Sequence, residues 1–380
     1  MKKNEKKIAY VINHISFFAS HILPLALETK KAGNDIIVFC GQGGSNEMEI
    51  EAKKILKKNK INYINIGFLP GSIKIFSEIR FLIKFIKELK KYNPDIIHAI
   101  SLKGILYSSI YFNIFGVKKL ICFITGMGYF FTNKLKLREL LLKHIILFII
   151  KITLSAKNTL LTLENKTDKK FFIKKIKIDK SRIKIFDGAG VDINKFYLDN
   201  KKKEKIVLFP ARVLVEKGIN EFLSSAKILS IKYPDWLFYV AGTLNYKKNQ
   251  DPFLKNIIQK NIIFLGYYKQ MHKLFNRSSI VCLPSYREGF PKSLIEACGS
   301  GCAIVTTNVP GCRDAIINNF NGYLCKPRDA NSLFKKLDVL MGDKKIRNTF
   351  AKNSRKIAVN KYDLKIFIQK NLKNYTLNQA

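Results

Sequence analysis

Twice along these 380 residues, short runs of branched and aromatic side chains alternate with stretches whose apolar residues recur at helical spacing. Lys7–Ile12 reads as a strand, Ile22–Lys31 as a helix stopped by Gly33, and Asp35–Cys40 as a second strand. Two strands joined by a helix pair in parallel, with a right-handed crossover. Further strands are expected at Tyr63–Ile66, Asp95–Ala99, Lys119–Ile124, Thr159–Leu163 and Arg182–Phe186. The lysine-rich run 200–205 reads as a linker, after which the alternation restarts. Strand Ile206–Pro210 and helix Ile219–Tyr233 lead to strands at Trp236–Ala241, Ile262–Leu265, Ile280–Leu283, Ala303–Thr306 and Gly322–Cys325. The economical fold is α/β: two Rossmann-like doubly wound domains in series, facing a central cleft. The expected divisions are 1–195, 196–355 and a final helical segment, 356–380, crossing back to the first domain.

An apolar content of 47% supplies two cores, while 68 Lys+Arg against 28 Asp+Glu leave a net charge of +40. The excess is not a patch. Residues 1–200 hold 36 basic against 16 acidic side chains and the remainder 32 against 12, so each half nets +20. Such uniformity argues against a dedicated nucleic-acid surface and for a general attraction to anionic lipid and phosphate-bearing substrates. The seven cysteines have neither C-x2-C spacing nor a histidine at ligand distance, so reduced, half-buried core residues of a cytosolic protein are expected. Met1–Lys7 is too charged for a secretory signal. Leu140–Leu154 is interrupted by Lys143, His144 and Lys151, short of the roughly 20 apolar residues a bilayer crossing needs. It reads as either a buried helix or one lying at a membrane surface, and Ile73–Lys91 is a second amphipathic candidate.

The chemistry concentrates in Arg287-Glu288-Gly289-Phe290-Pro291-Lys292-Ser293-Leu294-Ile295-Glu296-Ala297. The segment follows a buried strand and enters a helix at Pro291, so Glu288 sits above a strand's carboxyl end, where open α/β sheets bind ligands. Gly289 permits a backbone path most residues resist. An isolated pair of glutamates is usually solvated charge; here the strand-to-helix context favours one carboxylate reaching a sugar and the other a ribose.

With Phe209-Pro210-Ala211-Arg212-Val213-Leu214-Val215-Glu216-Lys217-Gly218 and Asn321-Gly322-Tyr323-Leu324, this segment resembles the retaining GT-B glycosyltransferases with an E-x7-E motif, family 4. The resemblance implies that domain 1–195 binds the acceptor and domain 196–355 a nucleotide sugar. It implies that Glu288 hydrogen-bonds the transferred sugar and Glu296 the donor ribose, while Gly289, Phe290 and Pro291 turn backbone amides toward sugar or phosphate. Arg212 and Lys217 would clamp the departing diphosphate. That is a task some glycosyltransferases give to a divalent metal on a D-x-D motif, which this chain lacks. No cofactor is expected, the UDP-sugar being a substrate.

In the first half, Asp95-Ile96-Ile97-His98-Ala99-Ile100-Ser101-Leu102-Lys103-Gly104 resembles the family's loop beside the reacting centre, with Ile100 where many members carry a second histidine. His98 is either a satisfied core histidine or a cleft residue, with Lys103 the candidate for the diphosphate. His21 either faces the cleft or caps a helix. Thr125-Gly126-Met127-Gly128-Tyr129-Phe130 resembles the glycine turn of a subgroup that extends polyprenyl-diphosphate-linked sugars in bacterial surface polysaccharide assembly, such as O-antigen or capsule. Asp314 stands where the family commonly has glutamate. The expected activity is transfer of a hexose or N-acetylhexosamine from a UDP-sugar to a lipid-linked glycan acceptor. The expected place is peripheral, at the inner face of the plasma membrane. A sugar-nucleotide epimerase on the same architecture and a basic membrane- or nucleic-acid-binding protein are the alternatives.

Overall fold

The computed structural model describes residues 5–41, 43, 46–68, 74–126, 137–199, 203–243 and 260–377. The chain divides into two compact units, the first of residues 1–186 and 368–380, the second of residues 187–367. The first unit holds strands β1 (Lys7–Ile12), β2 (Asp35–Cys40), β3 (Asn62–Asn65), β4 (Ile96–Ile100), β5 (Lys119–Ile124), β6 (Thr159–Leu163) and β7 (Ile183–Ile185). Helix α1 (Ile15–Phe17, a π-turn over Phe18–Ile22, then Leu23–Lys31) follows β1. The later helices are α2 (Asn46–Lys58), α3 (Ile75–Tyr92), α4 (Ser101–Phe115), α5 (Leu137–Ser155) and α6 (Lys166–Phe171). Unit 2 holds β8 (Glu204–Phe209), β9 (Leu237–Ala241), β10 (Ile262–Gly266), β11 (Ser278–Leu283), β12 (Ala303–Thr307) and β13 (Gly322–Cys325). Its helices are α7 (Ile219–Lys232), α8 (Met271–Arg277), α9 (Lys292–Gly299), α10 (Cys312–Ala315), α11 (Ala330–Gly342), α12 (Lys344–Ile357) and α13 (Leu364–Leu372), which runs on into unit 1.

Each unit is one parallel sheet, ordered β3-β2-β1-β4-β5-β6-β7 and β10-β9-β8-β11-β12-β13. Strands covered on both faces are mostly apolar, and β4, β6 and β12 are buried at every residue, with His98 and four threonines the polar exceptions. In each order the winding reverses once, between β1 and β4 and between β8 and β11. The loops leaving those strand pairs diverge to opposite faces and leave a crevice at the carboxyl ends.

The expected boundary at 195 moves to 186, because residues 187–196 pack on the second sheet's helices. Val191 N–H donates to the Tyr362 carbonyl at 2.8 Å, and the Phe196 and Phe275 rings lie 5.8 Å apart. The lysine-rich linker is also shorter than the sequence suggests. Glu204 and Lys205 already belong to β8, and the Lys203 ammonium donates to the Ser278 carbonyl at 2.7 Å. At the far end, Tyr375 inserts its hydroxyl against His98 Nδ1 at 2.7 Å and donates to Tyr10 at 3.1 Å, while Lys6 donates to its carbonyl at 2.9 Å. Seven free cysteines are all buried rather than half-buried, which suits their small apolar character.

Helix α5 is neither wholly buried nor wholly peripheral. Ile146, Ile150 and Leu154 face the core, while Leu137, Leu141, Ile145, Phe148 and Ile152 lie in solvent. Helix α3 divides likewise: Phe85 and Leu89 pack inward, and Ile75, Phe76, Ile79 and Ile83 point out among Arg80, Lys84, Lys87 and Lys91. Among the described residues no helix is long and apolar enough to cross a membrane.

Candidate active site

The site forms in unit 2 because β8 and β11 are neighbours in register, Ile280 beside Val207, so the loops beyond their carboxyl ends meet. After β8 the chain makes a tight turn at Val215–Lys217 and enters α7 through Gly218, whose φ of 76° is left-handed. A Cβ there would overlap the Pro284 carbonyl, so glycine lets the basic loop lie directly on the loop after β11.

This contact carries Lys217 onto Glu288. The ammonium bonds Glu288 Oε1, and the Ser285 hydroxyl donates to the same oxygen at 2.7 Å. Both donors converge on Oε1, so Oε2 has no partner among the described residues. Glu288 is itself held by its N–H on the Pro310 carbonyl at 3.3 Å. Gly311 keeps that loop close, because a Cβ there would stand 2.5 Å from the Gly289 carbonyl oxygen. Arg212 is exposed, and among the described residues its guanidinium has no partner. It is a cation open to an anionic ligand.

Glu296 lies in the second turn of α9, whose N-cap is Pro291. Burial raises its carboxyl above the ordinary range, opposed by Lys292, whose ammonium is 3.8 Å away, and by Lys195. A desolvated carboxylate gains from any ligand hydroxyl that donates to it. Phe290 places its side chain in the core, its ring 5.7 Å from that of Tyr362. Only the backbone of Gly289 and Phe290 is therefore available to a ligand. Asp314, where the family commonly has glutamate, accepts from the Gly311 N–H at 3.0 Å and braces the same turn.

In unit 1 the candidates are not gathered in the same way. His98 is buried in β4, burial pushing its pKa down to about 3, so the imidazole is neutral with Nδ1 on Tyr375. The ring lies in the core, and its Nε2 is buried without a hydrogen-bond partner among the described residues. Lys103 pairs with Glu78 at 2.8 Å, and Tyr107 donates to the other carboxylate oxygen at 2.7 Å. His21 stacks on Phe17 with centroids 4.0 Å apart, its Nδ1 2.7 Å from the Ser20 hydroxyl. Gly126 has a φ of 131°, and Gly128 lies outside the described residues.

Sequence reasoning placed Ser285 and Tyr286 in the loop that resembles the family's sugar-binding loop but gave neither a role of its own. Tyr286 N–H donates to the Glu216 carbonyl at 2.9 Å, and its hydroxyl to Glu221 at 2.7 Å, tying the basic loop to the acidic one. The available signal was their place between a buried strand and Glu288, but their partners lie on another loop.

Comparison with known proteins agrees with this geometry. The family described as Glycosyl transferase 4-like matches residues 7–165, and Glycosyl transferases group 1 matches residues 191–357. Over 370 residues the chain is 27% identical to N,N'-diacetylbacillosaminyl-diphospho-undecaprenol alpha-1,3-N-acetylgalactosaminyltransferase of Campylobacter jejuni, covering 93% of this chain and 94% of that one. It is also 27% identical to UDP-Gal:alpha-D-GlcNAc-diphosphoundecaprenol alpha-1,3-galactosyltransferase of Escherichia coli, covering 78% and 79% of the two chains. The solved structure of Anabaena HepE in complex with UDP and glucose superposes with a TM-score of 0.76 at 15% identity, over 97% of this chain and 99% of that one. WaaG, a glycosyltransferase involved in lipopolysaccharide biosynthesis, gives 0.73 at 15% identity, over 98% and 100%. With two parallel α/β units, a basic loop resting on an E-x7-E loop, and two family matches in that order, the chain belongs to the glycosyltransferases of the GT-B fold.

Proposed function

We propose that the protein moves a hexose or N-acetylhexosamine from a UDP-sugar to a polyprenyl-diphosphate-linked glycan, with retention of configuration and without a metal, in surface polysaccharide assembly. The observation that carries this reading is the junction of Lys217, Ser285 and Glu288. As the glycosidic bond breaks, negative charge grows on the departing diphosphate, and preorganised cations beside it lower the barrier. Lys217 and the open Arg212 supply that charge, while Glu288 Oε2 accepts from a hydroxyl of the sugar. Glu296, raised by burial, accepts from the ribose. Glu288 is not assigned as a covalent nucleophile; same-face attack, with a donor phosphate oxygen taking the acceptor's proton, needs none. The names of the relatives from C. jejuni and E. coli support a lipid-diphosphate acceptor. UDP release should appear only when both a UDP-sugar and a synthetic polyprenyl-diphosphate sugar are present, and should survive a divalent-cation chelator. Release without the acceptor at the full rate, or its loss on chelation, would sink the reading.

A lipid-linked acceptor keeps the enzyme at a bilayer, and the outward faces of α3 and α5 suit peripheral attachment. Apolar Phe76 and Phe148, 91% and 62% exposed, stand beside lysines that meet anionic headgroups. Burying one phenylalanine contributes about 1.5–3 kcal/mol. Phe76→Ser with Phe148→Ser should therefore weaken binding to vesicles containing anionic phospholipid by at least about tenfold. The melting temperature should not change, since neither ring is packed. Unchanged vesicle binding would remove these helices from the attachment.

A further inference from the structure

We infer that Asn13 and Ser101 form a subsite in unit 1 that hydrogen-bonds a hydroxyl of the acceptor's sugar, an inference that rests on the glycosyl-transfer reading. The two residues stand at the carboxyl ends of β1 and β4, the strands between which the first sheet reverses its winding. Val11 is opposite Ala99 in that ladder, and Asn13 and Ser101 each lie two residues beyond that pair in their own segments. Asn13 Oδ1 and Ser101 Oγ are both sealed from solvent with no hydrogen-bond partner among the described residues. A buried polar atom left unpaired is costly, and these two stand just past the strand ends that flank the switch point, where open α/β sheets bind ligands.

Ser101 carries a second cost. Its φ of 68° is left-handed, a conformation glycine adopts freely and serine does not. If the position served only to turn the chain from β4 into α4, glycine would do so without strain and without an orphaned hydroxyl. The backbone is also drawn tight here. A Cβ on Gly104 would lie 2.8 Å from the Val11 carbonyl oxygen, and one on Gly41 would lie 2.6 Å from that of Asn13.

The chemistry of the pair selects the ligand. Both groups are neutral, and Lys103 nearby is engaged by Glu78. A sugar hydroxyl both donates and accepts, so it suits Ser101 and suits Asn13 whichever way the amide is turned. Because both atoms are closed off, engaging them requires the loop at residues 13–14 to shift.

Ser101→Gly separates strain from recognition, since it relieves the backbone and removes the hydroxyl together. Assayed with UDP-N-acetylglucosamine, or whichever UDP-sugar supports turnover, and a synthetic polyprenyl-diphosphate N-acetylglucosamine, this variant should melt no lower than the parent. Its KM for the acceptor should rise at least tenfold while its KM for the donor stays within twofold. Asn13→Ala and Ser101→Ala should raise the acceptor KM in the same way, which covers the case of a variant that fails to fold. An unchanged acceptor KM in the folded variants, or equal rises for donor and acceptor, would overturn the subsite. Lys217→Ala, run alongside, keeps the two claims apart. If it abolishes transfer while Ser101→Gly leaves the acceptor KM alone, only the subsite falls; if Lys217→Ala transfers normally, the wider reading falls.

Discussion

Lys217→Ala should lower the turnover of sugar transfer by about 10²–10³, the usual consequence of removing one preorganised group that stabilises a transition-state charge. Glu288→Ala should lower it by one to two orders of magnitude or more, the equivalent of about 1.5–3 kcal/mol for a charged hydrogen-bond partner. The two effects should not add. Lys217 and Glu288 bind one another, so each single variant also strands a partly buried charge, their side chains being 24% and 14% exposed. Stability should follow a different pattern from activity. Either single change should cost about 1–3 kcal/mol because a charged group loses its partner, and the double variant should recover part of that cost while remaining inactive. Steady-state turnover with denaturant unfolding on the same three proteins checks both statements. Strictly additive activity losses would mean that the pair does not work as one unit.

Gly218→Ala should be among the more damaging single methyls in the second unit. The residue has a left-handed φ of 76°, and the added Cβ would meet the Pro284 carbonyl carbon and oxygen, which are backbone and cannot rotate away. Strain at such a position costs about 1–3 kcal/mol, and the overlap adds to it by pushing the basic loop off the loop after β11. A loss of about 3–4 kcal/mol is expected, with transfer falling even in the fraction that stays folded, because Lys217 precedes the glycine directly. Gly33→Ala is the control. It has a similar φ of 85° but no atom within 4 Å of where its added methyl would stand, so it should show backbone strain alone. Equal losses at the two positions would mean that the Pro284 contact is not what Gly218 protects.

The strands of both sheets were legible because a parallel strand covered on both faces is a near-continuous apolar run, visible without knowing its neighbours. The E-x7-E segment was legible for a related reason, since a strand, a glycine turn and a helix start are all local. Strand ends were read less well: β8 begins at Glu204, inside what looks like a charged linker, because pairing with β11 holds polar residues in the sheet. Helix α5 was left between two readings, since periodicity tells which residues share a face but not which face the rest of the unit covers.

His98 shows the same limit at the level of a side chain. Its neighbours in sequence allow a core role and a cleft role equally. Its partner Tyr375 lies 277 residues away, and burial in the folded sheet is what keeps the ring neutral. Lys217 and Glu288 are 71 residues apart, and Ser285 and Tyr286 gain their roles only through loops that β8 and β11 bring together. Local pattern alone therefore determined that this chain is two wound α/β sheets with an acidic strand-to-helix turn after a basic loop. Tertiary structure alone decided which cation meets which carboxylate, which oxygen stays open, and which buried polar atoms of unit 1, Asn13 Oδ1 and Ser101 Oγ among them, stay unpaired. Propensity and periodicity act between near neighbours in the chain, whereas these pairings depend on strand register between segments that only folding makes adjacent.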